Sequence, residues 1–175
     1  MNPLPTRRLL SRDSILPAIV IVALLATLPF VVWEFIQTGE VYIFSHRFWP
    51  DLVARFHGPG RMRFIMQPTV AIFLGARDGM KDRRADKPPF LWGLAFRSAD
   101  RPGLLRSALA SVRNLVLVAI LLDVIAQFLI FRMVHPGAAL LFGPVLIGFP
   151  YATARALTNR ISGLRWRNQP AAEVP

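Results

Sequence analysis

Residues 115–131 form a run of 17 residues that is apolar except for one carboxylate, Asp123, and an amide one helical turn later, Gln127. A second uncharged stretch, 136–154, follows after only four intervening residues. A helix over the first run covers roughly 26 Å at about 1.5 Å per residue, close to the hydrocarbon thickness of a bilayer, so the pair predicts a membrane hairpin. An acid at the centre of such a helix costs about 2.5–3.5 kcal/mol on insertion scales. Asp123 is therefore expected to face protein and not lipid. At helical spacing Ala119, Asp123, Ala126 and Gln127 share one face, a small and polar stripe that lets another helix approach closely. Helix packing or subunit docking is the expected role, with a neutral Asp123 bonded to Gln67, Thr69 or Thr153. A proton or cation site at Asp123 is the alternative.

The whole chain is consistent with that hairpin. Its 175 residues are 54% hydrophobic with a mean hydropathy of +0.43, more apolar surface than a soluble domain of this size absorbs. The net charge of +11 raises the question of nucleic acid. The arginines, however, sit at the ends of apolar runs and between them, where membrane orientation places them, so no nucleic-acid partner is expected. Lys81 and Lys87 are the only lysines, and this bias toward arginine hints at a GC-rich bacterial genome and hence a bacterial inner membrane. With no cysteine, the chain has no disulfide, thiolate metal site or cysteine nucleophile.

An all-α integral membrane protein follows, with four transmembrane helices and both termini cytoplasmic. The expected layout is a basic N-terminus (1–14), a first span (15–36), a periplasmic interfacial segment (37–60), a short second span or re-entrant helix (61–77), a basic cytoplasmic loop (78–113), a third span (114–133), a fourth (136–155) and a basic tail (156–175). The first run, 15–33, has 19 uncharged residues and no small-residue cleavage site after it, so it reads as an uncleaved anchor, kinked near Pro29. The element at 64–76 is uncharged for only 13 residues, short for a crossing. Parity argues for it nonetheless: two cytoplasmic basic segments, 1–14 and 78–113, require an even number of crossings between them. Three spans plus a re-entrant or interfacial segment is the alternative. Within the basic loop, Lys87-Pro88-Pro89 stops any helix and 90–96 is expected to lie along the interface. A long helix is expected to start near Leu104, and 168–175 to form a disordered tail.

Catalytic and metal motifs do not emerge. His46, His57 and His135 match no zinc spacing and are expected to be solvated or interfacial. Residues 75–79, Gly-Ala-Arg-Asp-Gly, are neither a P-loop nor a dinucleotide fingerprint and read as a helix end with a glycine stop. Asp78, Asp82 and Asp86 fall on one helix face among basic residues, the pattern of solvated salt bridges. Gly143 and Gly148, with Pro144 and Pro150, predict a bent or partly unwound fourth span that packs through its small residues. Arg77, Lys81, Arg83, Arg84, Lys87 and Arg97 are candidates for contact with anionic lipid or a protein partner. The expected function is that of an accessory, assembly or scaffold subunit of a membrane complex, or a homo-oligomer, with no enzymatic activity and no cofactor. A small transporter or channel component is the alternative.

Overall fold

The computed structural model describes residues 12–167, with side chains from 13 to 163. Among these residues the fold is all helical: α1 (Arg12–Thr38), α2 (Phe48–His57), α3 (Arg63–Arg84), α4 (Phe90–Phe96), α5 (Arg101–Phe131) and α6 (Pro136–Arg167). Short 3-10 turns at Tyr42–Phe44 and Ser98–Asp100 precede α2 and α5. Three segments are long and apolar enough to cross a membrane, namely Asp13–Thr38, Ser98–Phe131 and Pro136–Gly163, so this is a multi-pass membrane protein. The tail at 168–175 lies outside the described residues.

The α5–α6 hairpin organises everything else. Arg132 takes a left-handed conformation (φ 56°) and its amide closes the last turn of α5 on the Phe128 carbonyl at 3.0 Å. Pro136 then starts α6, where its missing N–H is no loss. Helix α1 lies along α5 in the same direction, with Val20 packed into a cluster with Ile120 and Val124, while Glu34 reaches His135 in the hairpin turn. Most of α1 stays uncovered by the rest of the described chain: Val22, Leu25, Val32 and Ile36 are exposed. Helix α6 is continuous through Pro144 and Pro150, so the expected partial unwinding does not occur. Gly143 instead seats α6 directly on Ile120 of α5, and such packing supports a helix across a lost hydrogen bond.

Helix α3 corrects the sequence reading most. It runs on past Ala76 to Arg84, 22 residues or roughly 33 Å. Arg63 at its start and the charges from Arg77 onward keep it out of the three apolar spans. It nevertheless lies beside α6, running the same way, with Gly75 against Tyr151, Gly79 against Arg155 and Arg83 against Gly163. Residues 75–79 are therefore not a glycine stop; they sit inside the helix, where a Cβ at Gly75 or Gly79 would run into the carbonyl oxygen of Tyr151 or Arg155. Every fourth residue of α3 from Arg63 to Gly79 is buried, as is every fourth residue of α6 from Gly143 to Asn159. Two such rows interlock along their length.

Helix α3 ends not at the glycines but just short of the Lys87-Pro88-Pro89 breaker. Asp86 turns left-handed (φ 50°), the Lys87 amide returns to the Asp82 carbonyl at 2.9 Å, and Pro88-Pro89 leads into α4. Helix α4 occupies the expected residues. It buries Phe90 against Tyr151 and Gly93 against Leu104, and exposes Leu91, Trp92 and Phe96.

Candidate functional site

Two buried ionic clusters occupy opposite ends of the bundle. Near the hairpin, Asp123 projects from α5 between two arginines brought by other elements: Arg63 from the first turn of α3 (Nη2 to Oδ1, 2.8 Å) and Arg55 from α2 (Nη1 to Oδ2, 3.3 Å). The Gln127 amide donates to the same carboxylate at 2.6 Å, one turn away on α5. All four side chains are buried. The expected neutral acid bonded to Gln67, Thr69 or Thr153 is thus replaced by an ion pair. Gln67 is buried on α3 with its amide nitrogen unbonded among the described residues, and Thr69 donates to its own helix at Ile65.

One carboxylate facing two guanidinium groups leaves a net positive charge in an apolar setting, and aromatic rings take up part of it. The Arg55 guanidinium lies 5.0 Å from the Phe142 ring centre and 5.9 Å from that of Phe131. Among the described residues its Nε and Nη2 have no hydrogen-bond partner. Besides its ion pair, Arg63 donates a hydrogen bond through Nη1 to the Leu122 carbonyl at 3.1 Å. These contacts tie α2 and the start of α3 to the last turns of α5, where Gly58 meets Ile130 and Gly60 meets Ala126.

Gln127 passes the network into the hairpin turn. Its carbonyl accepts the His135 amide at 2.8 Å, and the His135 ring stacks on Tyr42 at 3.5 Å with its Nε2 2.8 Å from Glu34. His135 is therefore buried and not solvated; desolvation pushes its pKa below the ordinary histidine value, against the attraction of Glu34. Burial and a hydrogen bond donated to Asp51 push the Tyr42 phenol up. An apolar cavity of about 260 Å³ opens beside this turn between Phe35, Val41, Ile43 and Gly137.

The second cluster joins α3 to α6. Arg155 grips Asp82 through two nitrogens (Nε to Oδ2, 2.6 Å; Nη2 to Oδ1, 3.0 Å) and donates to the Tyr151 hydroxyl at 2.9 Å, which in turn donates to Asp78 at 2.9 Å. A longer bond reaches Ser107 of α5 at 3.3 Å, and the Phe90 ring covers the guanidinium at 4.7 Å. Asp82 is thus not part of a solvated acidic face. It is 5% exposed, whereas the Asp86 side chain is 93% exposed. Sequence reasoning missed Arg55, Arg63 and Arg155, although the i, i+4 spacing of Ile147, Tyr151, Arg155 and Asn159 marks one helix face.

The anticipated residues divide clearly. Ala119, Asp123, Ala126 and Gln127 are all buried on α5; Gly143 abuts Ile120, and Gly148 has open space where a side chain would be. Of the basic candidates, Arg83, Lys87 and Arg97 line one cavity together with Arg160, which was not anticipated. Arg77 and Arg84 lie exposed elsewhere on α3, and Lys81 pairs with Asp78 at 3.6 Å. No cluster of three or more His, Cys, Asp or Glu side chains suited to a metal occurs among the described residues. Compared with known family models, curated proteins and solved structures, the chain has no significant match.

Proposed function

We propose that this protein is a scaffold or accessory subunit of a larger complex in a bacterial inner membrane, crossing the bilayer four times with both termini cytoplasmic. The observation that carries this is the way Asp123 is used. A carboxylate with arginine nitrogens at 2.8 and 3.3 Å and an amide at 2.6 Å fastens three elements together, and a cation arriving there would meet two positive groups. Those contacts favour a structural acid over a transport site. The direction of α3, parallel to α6 and opposite to α5, supports the fourth crossing, with Arg63 brought in as part of the ion pair.

Helix α1 supplies the surface for association. It leaves Val22 and Val32 exposed along a face that another helix can cover, and its neighbours bury little of it. A photoreactive residue at Val22 or Val32, activated in native membranes, should give a protein adduct of one discrete mass. Adducts with lipid alone would contradict the subunit reading. Ion flux through reconstituted protein that disappears in Asp123→Asn would restore the transporter alternative.

A further inference from the structure

The cavity lined by Arg83, Lys87, Arg97 and Arg160 draws its four cations from four different pieces of the fold: the last turn of α3, the link after it, the residue following α4, and α6. It has a volume of about 290 Å³. Two carboxylates stand beside its cations, Asp86 3.9 Å from Arg83 and Asp100 3.7 Å from Arg97; the first is almost wholly in solvent and the second half exposed, so the four cations keep an excess of positive charge. The walls are fixed. Asn159 donates to the Lys87 carbonyl at 3.2 Å and fastens the link to α6, Pro88 and Pro89 stiffen the link, and Gly163 leaves room for the Arg83 guanidinium to lie across α6.

We propose that this pocket binds a phosphate-bearing anion, and that its place in the fold favours the headgroup of an anionic phospholipid. Three arginine forks and one lysine present the donors a phosphate oxygen takes, carried on a backbone that Asn159 and the two prolines hold in place. The pocket lies past the uncharged run 136–154, at the carboxyl end of the candidate span Pro136–Gly163, which puts it on the headgroup side of the apolar run. Exposed Leu157 and Ile161 flank Arg160 on α6, and exposed Trp92 and Phe96 precede Arg97, so apolar surface for acyl chains adjoins the charged cradle. The pocket selects three of the six basic residues singled out by sequence and adds Arg160. It rests on the membrane-spanning character of the chain and is independent of any partner subunit.

Purified full-length protein in neutral detergent would be titrated with short-chain phosphatidylglycerol in one arm and inorganic phosphate in the other. Arg160→Gln and Lys87→Gln would be compared with Arg77→Gln and Arg84→Gln, which remove the same charge outside the pocket. Saturable lipid binding weakened about fivefold by each pocket variant, with the two controls changed less than about twofold, is the expected result. The same variant pattern with inorganic phosphate alone would uphold the phosphate site and make free phosphate its source. Equal weakening by pocket and control variants, or saturable binding in neither arm, would overturn the proposal. All four positions are exposed or at the cavity rim, and unchanged thermal unfolding of each variant would separate lost binding from lost folding.

Discussion

At the scale of single residues, the decisive question is what a buried charge costs once its partner is removed. Asp123→Asn would leave Arg55 and Arg63 facing each other without a counter-charge, and breaking a buried pair in this way costs about 3–5 kcal/mol. Unfolding of the purified protein in detergent should register that loss, and Arg55→Met in the same background should recover part of it by removing one of the stranded charges. Arg155→Leu should be comparably damaging, since it strands Asp82. His135 gives a pH dependence with a definite sign. Its pKa is lowered by burial in the folded state, so it contributes stability above the ordinary value of about 6.5 that is lost as pH falls through the lowered folded value. The unfolding temperature should drop on acidification, and His135→Gln should flatten that part of the profile. Little of this was legible in the sequence. Asp123 stands out because an acid in an apolar run is conspicuous, but its partner Arg55 lies 68 residues away, and no local pattern links them.

At the scale of helices, hydropathy located α1, α5 and α6, because lipid demands long uncharged runs and such runs are visible without any tertiary information. The dipeptide Pro88-Pro89 likewise fixed the start of α4, since proline chemistry is local. Helix α3 was harder, because its second half is charged and its apolar run is short. The missing signal was the spacing of Gly75 and Gly79, four residues apart in line with Ala71 and Gln67, which is the pattern of a helix that touches its neighbour backbone to backbone. Gly75→Ala and Gly79→Ala should each destabilise the protein by about 1–3 kcal/mol through overpacking against α6. Gly148→Ala, at a glycine with nothing within 4 Å, should be neutral or slightly stabilising in the same assay.

For the whole molecule, the two ionic clusters act as clasps at either end of a bundle whose outer surface is apolar and uncovered. The hairpin-end clasp binds α2, α3 and α5 through Asp123; the other binds α3 to α6 through Asp82 and Arg155. Helix α3 takes part in both, which is why a helix whose apolar run is short for a span is central to the packing. Its passage across the bilayer is the claim on which topology, orientation and the four-crossing proposal all depend. The natural absence of cysteine makes this directly measurable, because single cysteines can be placed in an otherwise unreactive chain. His57→Cys, exposed at the end of α2, and Ala85→Cys, exposed just past α3, would be challenged in sealed membrane vesicles of known orientation with a membrane-impermeant maleimide. Labelling of the two positions from opposite faces is the predicted result; labelling of both from the same face would contradict the account.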